Sequence, residues 1–311
     1  MSRVSLSQPK PKTGALAQAR AHIELADPVT WISPAITTIC GALASSAQAG
    51  GFNVGSGQQW ALVALGALMT GPLATGFSQS INDYYDHELD AINDPERPIP
   101  SGRVSLGAAR WNWILLAVAT LAVALIFREP LILLFAVIGL ILSAIYSIPP
   151  IKLKAHYWLG APAVGFGYVS MSWLVGHLIF APLTWQSALV AFFNGGLATG
   201  LLFLNDIKSV EGDRQLGMKS LTVTFGVDKA LIVAFTVITA FELALMVTAF
   251  AWGHPWVGGF VLLAMIVPLY SQIKLYRDPT HDNFKRYILA SNPFIVLIQV
   301  ISALVVGGYF G

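Results

Sequence analysis

The chain is 311 residues long, 55% hydrophobic and 11% charged, with a mean hydropathy of +0.66 and a formal net charge of +2. An average soluble domain carries roughly 25% charged residues, and this composition leaves too little polar surface to cover a water-soluble fold of that size. A soluble enzyme, a nucleic-acid binder and a disordered scaffold are thereby excluded, and the chain reads as an all-α integral membrane protein.

Residues 1–27 hold Arg3, Lys10, Lys12 and Arg20 but no apolar core of a cleavable leader. They are expected as a cytoplasmic segment in which Ala15–Asp27 forms a short interfacial helix. Two long runs, Pro28–Asn82 and Ala155–Asn205, contain no Lys, Arg, Asp or Glu. A membrane-spanning helix takes about 20 residues, so each run holds two spans. Apolar windows bounded by charges, Gly or Pro predict nine spans in all, at 30–48, 60–82, 111–127, 131–148, 158–180, 186–206, 230–251, 256–274 and 288–309. Residues 28–311 are thus expected to form one nine-helix bundle around a central cavity. Cys40, the only cysteine, rules out a disulfide framework and a cysteine-built metal site.

With these spans, 17 of the 18 Lys and Arg residues fall on one side, in the N-terminal segment and the loops after spans 2, 4, 6 and 8. Only Arg128 lies opposite. The positive-inside rule makes the populated side cytoplasmic and places the N-terminus there.

Two of those loops are also acidic, and they repeat one another. Asn82-Asp83-Tyr84-Tyr85-Asp86-His87-Glu88-Leu89-Asp90 follows span 2, and Asn205-Asp206-Ile207-Lys208-Ser209-Val210-Glu211-Gly212-Asp213 follows span 6. Aligned, the Asn, the first Asp, the Glu and the last Asp coincide. A repeat four spans apart implies two related halves facing one cavity. If helical, Asn82, Asp83, Asp86 and Asp90 fall within about a 100° arc, and Asp206 lies about 20° from Asp213. Glu88 points away. Glu211 falls roughly 140° from Asp206 unless Gly212 breaks the helix. Carboxylates crowded on one face call for a cation among them, and hard oxygen ligands from two segments suit Mg²⁺, which completes its shell with water and phosphate oxygens.

Basic residues stand close by. Arg97 and Arg103 lie on the Pro-stiffened stretch Asn93–Arg103, and Tyr146-Ser147-Ile148-Pro149-Pro150-Ile151-Lys152-Leu153-Lys154 follows span 4. Arg and Lys beside a metal site are what a diphosphate requires. Arg97 and Lys152 are the stronger candidates, because Lys154 is equally explained as a topological charge.

The pattern Asn82-Asp83-x-x-Asp86-x-x-x-Asp90, with a second acidic motif after span 6 and nine spans, resembles the intramembrane prenyltransferase superfamily of the 4-hydroxybenzoate polyprenyltransferase type. The likeness runs from about residue 25 onward. Ile81–Asp86 continuing through Ala91-Ile92-Asn93 to Arg97-Pro98-Ile99-Pro100-Ser101-Gly102 is similar to the chlorophyll and bacteriochlorophyll synthase branch. So are Asn205–Arg214, Pro28-Val29-Thr30-Trp31 and Tyr146-Ser147-x-Pro149-Pro150-x-Lys152. The second motif departs from the superfamily's usual pair of Asp four residues apart. Val stands at 210, with acids at 206, 211 and 213, so Glu211 and Asp213 compete as ligands and geometry favours Asp213.

The resemblance implies transfer of a geranylgeranyl or phytyl group from its diphosphate to the propionate of (bacterio)chlorophyllide, in a plasma, intracytoplasmic or thylakoid-type membrane of a phototroph. Two Mg²⁺ ions bridging the diphosphate would be held by Asp83, Asp86, Asp90, Asp206 and Asp213 or Glu211. Catalysis is expected from Asp83, Asp86, Asp206, Arg97 and Lys152. Substrate contacts are expected from Asn82, Arg97, Arg103, Tyr146, Lys152, Asn205 and Lys208. Partners would be the two substrates, the lipid bilayer and other pigment-biosynthesis or photosystem-assembly proteins, with no nucleic acid. Phe77, Tyr84 and Tyr146 could steady an allylic cation by their π faces or simply pack.

Glu242, deep in span 7, is a functional candidate because burying it is costly, with an interhelical hydrogen bond as the alternative. His177 could ligate a tetrapyrrole Mg or bond a neighbouring helix. The alternatives within the enzyme class are an aromatic-ring acceptor and haem. Outside it stands an ion-coupled transporter, which would place its carboxylates nearer mid-membrane.

Overall fold

The computed structural model describes residues 14–51, 53–215 and 219–310, without the side chains of 206–209, 211–213 and 215. The fold is helical, as expected. Helix α1 (Ala15–Leu25) lies ahead of the bundle and sets Ala21 and Leu25 on Ile99, Val104 and Ala109. After a tight turn at Pro28–Trp31 comes α2 (Ile32–Ser46). Helix α3 (Gly57–Leu68) runs through a wide π-helical segment, Met69–Thr75, into α4 (Gly76–Asn93). Pro72 lies inside the wide segment, where a missing N–H and a ring that clashes with the carbonyl four residues back forbid regular α geometry. Helices α5 (Leu106–Ile126) and α6 (Pro130–Ser147) form a hairpin whose second helix is capped by the Glu129 carboxylate accepting from the Leu131 N–H.

The predicted fifth span is not one regular helix. It consists of α7 (Gly160–Val164), a second π-helical segment (Gly165–Ser170) and α8 (Met171–Leu178). Then follow α9 (Trp185–Gln215), the short α10 (Leu221–Phe225), α11 (Val227–Ala251), α12 (Pro255–Arg277) and α13 (His281–Val306). Among the described residues, 8 helical stretches are long and apolar enough to cross a membrane, and the broken segment from α7 to α8 fills the range of the remaining predicted span.

The outward faces confirm the solvent. Leu115, Val118 and Leu125 on α5, and Leu262, Leu263 and Ile266 on α12, are exposed. Such stripes would drive aggregation in water and are at home against lipid chains. Trp111, Trp185 and Trp256 stand exposed near helix starts, the position of an interfacial aromatic belt.

Because lipid tails are as apolar as leucine, helices in a bilayer associate through close backbone approach rather than hydrophobic burial. The crossing of α2 and α8 is built this way. A Cβ on Gly41 would run into the carbonyl of Trp173, and a Cβ on Gly176 into the carbonyl of Thr38. Thr38 joins the same contact by donating to the Ser172 carbonyl at 3.2 Å. Gly176→Ala is therefore expected to destabilise the protein by about 3 kcal/mol. Gly139→Ala is expected to be nearly neutral, since its Cβ would meet only Met171 Sδ at 3.9 Å. Thermal unfolding of the purified protein in detergent compares the two; equal melting temperatures would refute the backbone-contact account.

Candidate active site

Both acidic motifs prove to be helical rather than looped. The first occupies the last turns of α4 and the second the last turns of α9, which runs on to Gln215, past the end of the predicted span at 206. Gly212 does not interrupt α9. A glycine costs only about 1 kcal/mol in a helix interior, and no proline follows to enforce a break.

On α4, Gln79, Asn82, Asp83, Asp86 and Asp90 follow i, i+3, i+4, i+7, i+11 spacing and share one face. Asp83 and Asp86 are buried, at 7% and 8% exposure, while Glu88 is exposed on the opposite side as expected. Arg97 comes back over this face from the turn after α4. Its own N–H donates to the Asp94 carbonyl at 3.1 Å, and the Ser101 hydroxyl donates to the Arg97 carbonyl at 2.6 Å, which fixes the turn. Arg97 Nη1 then donates to Asp83 Oδ1 at 2.5 Å and to Asp90 Oδ2 at 3.2 Å. Burial works against the guanidinium charge, but the carboxylates of Asp83 and Asp90 outweigh it and raise the Arg97 pKa.

The loop after α6 supplies two more cations. Lys152 sits in the left-handed region, at φ 39°, a conformation that costs a non-glycine residue roughly 1–2 kcal/mol. Its Nζ lies 3.3 Å from Asp86 Oδ1. Lys154, equally explained in the sequence as a topological charge, is the more buried of the two lysines. Its side chain is buried and its Nζ donates to Asn82 Oδ1 at 2.7 Å and, more closely still, to Asp86 Oδ2. The Ser147 hydroxyl also donates to Asn82 Oδ1, at 3.2 Å. Burial draws the Lys154 ammonium below the usual lysine range, with Asp86 opposing. A single β-bridge between His156 and Lys219 ties this lysine loop to the chain just beyond the second motif.

Other expected residues are placed elsewhere. Arg103 forms a forked pair with Glu24 of α1, at 2.5 and 2.6 Å, and also donates to the Glu96 carbonyl, so its guanidinium is engaged away from the carboxylates. Phe77 and Tyr84 pack edge-on against Trp113 of α5, and the Tyr84 hydroxyl accepts from Arg110 at 2.6 Å. His177 is fully buried, with Nδ1 at 2.9 Å from Ser187 Oγ and Nε2 at 3.2 Å from the Pro182 carbonyl. Both ring nitrogens are taken, which favours the helix-bonding reading over tetrapyrrole ligation. The side chains of Asp206, Lys208, Glu211 and Asp213 lie outside the described residues.

Beside the carboxylates opens a cavity of about 410 Å³. Asn82 and Asn205, the leading residues of the two motifs, both line it, so the repeat seen in the sequence converges on one space. Tyr146 is on its wall too, with Gln79 and Tyr168, which the sequence did not single out. Gln79 donates to the Tyr168 hydroxyl at 3.4 Å. The polar stripe on α4 contained Gln79 in its period; Tyr168 carried no sequence signal, since the π-helical turn that turns it inward is invisible in the residue pattern. Ser78, Tyr146, Val164 and Tyr168 also border a narrower apolar cavity of about 60 Å³, walled by residues such as Met69, Phe135, Leu142 and Val175.

The donor set suits a hard dication. Asp83 and Asp86 offer only anionic oxygen, and Asp86 Oδ1, buried and without a hydrogen bond, has the Lys152 ammonium 3.3 Å away as its cationic neighbour. Among the described residues, no three acidic, His or Cys side chains close a metal cage. Two or fewer protein carboxylates with open positions for water and phosphate are the ordinary mode of Mg²⁺.

A helical membrane bundle that opens an apolar cavity beside buried carboxylates and paired cations has the architecture of an intramembrane enzyme for amphiphilic substrates. Comparison with known proteins makes this specific. The chain belongs to the UbiA prenyltransferase family, whose profile matches residues 35–293. It is 37% identical over 262 residues to the bacteriochlorophyll synthase 34 kDa chain of Chloroflexus aurantiacus, covering 84% of this chain and 82% of that one. It is 36% identical over 294 residues to the chloroplastic chlorophyll synthase of Arabidopsis thaliana, covering 92% and 74%. A UbiA homolog from Archaeoglobus fulgidus, solved with GPP and Mg²⁺, shares the fold with a TM-score of 0.68 at 19% identity, over 93% of this chain and 99% of that one. Family membership sets aside the transporter reading.

Proposed function

We propose that this enzyme transfers a geranylgeranyl or phytyl group from its diphosphate to the propionate of chlorophyllide or bacteriochlorophyllide. The observation that carries the reading is the convergence of Asn82 and Asn205 on one cavity, with the cations Arg97, Lys152 and Lys154 paired to Asp83 and Asp86 on the α4 face that carries Asn82. The relatives named as chlorophyll and bacteriochlorophyll synthases supply the acceptor class.

In this reading Asp83, Asp86 and Asp90 on α4, with Asp206 and either Asp213 or Glu211 on α9, would hold two Mg²⁺ ions, whose positive charge would make the diphosphate a better leaving group. Arg97 and Lys152 contact the diphosphate oxygens, and Asn82, Asn205, Lys208 and Tyr146 orient it. The C–O bond to the prenyl carbon breaks with its electron pair leaving on the diphosphate. The acceptor carboxylate, already ionised at neutral pH, forms the new ester bond to that carbon, so no general base is needed. Tyr146 and Tyr168, on the cavity wall, are the aromatic groups available to steady the developing allylic cation, and the apolar walls keep water from it.

The same reading sets nine crossings, with the N-terminus and the carboxylate rim on the cytoplasmic side of a phototroph's photosynthetic membrane; the distribution of basic residues supports it. An acceptor panel provides the test. Membranes carrying the protein, given geranylgeranyl diphosphate and Mg²⁺, are expected to esterify chlorophyllide or bacteriochlorophyllide to a more hydrophobic pigment, seen by reversed-phase chromatography. Consumption of 4-hydroxybenzoate, homogentisate or haem instead would overturn the tetrapyrrole assignment.

A further inference from the structure

The narrower apolar cavity is a channel that leads away from the site. Its mouth is formed by Ser78, Tyr146, Val164 and Tyr168, which also line the larger cavity. From there it follows α4 back into the wide segment as far as Met69, α6 back to Phe135, and the second π-helical segment into α8 as far as Val175. Tyr146 and Phe135 are eleven residues apart on α6, about 16 Å along the helix. None of the residues that line the channel is charged. Thr70, Thr75 and Thr120 donate to backbone carbonyls of their own helical stretches, those of Gly66 at 3.1 Å, Thr70 at 2.8 Å and Leu116 at 2.8 Å. Their hydroxyls are therefore satisfied and ask for no polar ligand. A narrow, uncharged channel of this kind takes a flexible apolar chain and excludes a macrocycle.

Gly139 lies partway along this channel. A glycine inside a helix is destabilising relative to alanine, so each such position calls for a reason. At Gly41 and Gly176 the reason is a neighbouring backbone, and at Gly195 it is the Ser170 hydroxyl. Gly139 has no such neighbour, since a Cβ there would meet only Met171 Sδ, at an ordinary 3.9 Å. What the missing side chain leaves free is the channel, whose wall includes both residues. Gly139 is seven residues in from Tyr146, and Met171 seven in from Val164, so the two stand at one level and form a waist. The thioether is flexible and can yield to a passing chain, whereas a branched side chain at 139 would close the gap. From Tyr146 to Gly139 is about 10 Å along the helix, about the reach of two isoprenoid units. We infer that Gly139 sets the length of prenyl chain the enzyme accepts: it keeps the waist open, so that the distal isoprenoid units of a geranylgeranyl chain lie beyond it, among Met69, Phe135, Ala136 and Val175. The inference rests on the prenyl-transfer reading above and names the position that discriminates among prenyl diphosphates.

The test is steady-state prenyl transfer by the purified full-length protein in detergent with Mg²⁺. Geranyl and geranylgeranyl diphosphate are supplied in separate reactions, with whichever acceptor the wild type prenylates, and a melting curve accompanies each variant. Gly139→Leu is expected to lower kcat/KM for geranylgeranyl diphosphate about 10²-fold and to leave that for geranyl diphosphate within about threefold. Gly139→Ala, which folds as the wild type does, is expected to move the ratio the same way by about threefold, so the test stands even where the leucine variant unfolds. A ratio unchanged in the folded variants, or activity lost equally on the two diphosphates, would overturn the inference and place the distal chain elsewhere. A wild type that transfers neither diphosphate to any acceptor would overturn the prenyl-transfer reading itself, and this inference with it.

Discussion

Asp83→Asn and Asp206→Asn are each expected to lower prenyl transfer by about 10²–10³-fold while the protein remains folded in the membrane. Asparagine keeps the size and hydrogen-bonding capacity of aspartate but removes the anionic charge a dication requires. At position 83 the change also leaves Arg97 with Asp90 and Asp94 as its remaining acidic neighbours, so folding has a fallback that metal binding lacks. The measurement is turnover at saturating Mg²⁺, beside a melting curve to establish folding. Turnover near wild type in both variants would remove the carboxylate rim from the mechanism.

Lys154→Met is expected to cost about 3 kcal/mol of stability, besides lowering activity. Methionine fills the space of the lysine stem, but Asp86 and the Asn82 carbonyl then lose their most buried donor. Asp86 is then left with Lys152 alone, 3.3 Å from Oδ1, and depriving a buried charge of its closest partner is the expensive step, more than the pair itself is worth. Adding Asp86→Asn to Lys154→Met should therefore recover part of the lost stability and none of the activity, a coupling read from a double-mutant cycle. Arg103→Ala gives the contrast. Its pair with Glu24 is solvent-screened, so the loss should stay within about 1 kcal/mol. If Lys154→Met and Arg103→Ala prove equally mild, burial is not what distinguishes the two cations.

The bundle was legible because the bilayer imposes a length and a charge rule on every crossing. The windows predicted at 111–127 and 131–148 match α5 and α6 within a few residues. What escaped was the interruption of helices. Pro72 marked the first wide turn, but nothing in Gly165–Ser170 marked the second. That turn is set by how closely Gly165 approaches Gly195 and Thr199 of α9, a fact of tertiary packing. At the site, the face shared by Asn82, Asp83 and Asp86 followed from helical period alone. The choice of lysine did not, because Lys152 and Lys154 are equivalent as charges. They differ only in how the turn after Pro150 buries one of them. The pairing of Arg103 was hidden for the complementary reason: its partner Glu24 is 79 residues away in the chain.

That both acidic motifs ride the last turns of helices has an electrostatic consequence. A helix carries about half a negative charge at its C-terminal end, where cations are favoured and carboxylates are not. Asp90 lies three residues from the end of α4, and Asp213 two from the end of α9. Stability alone would select lysine or arginine at such positions. The backbone of each helix therefore adds its own negative potential to that of the acids, and the rim attracts positive charge more strongly than its carboxylates would by themselves. Arg97 and Lys154 answer that demand in the structure described, and a metal ion arriving with the diphosphate would be held by the same two macrodipoles.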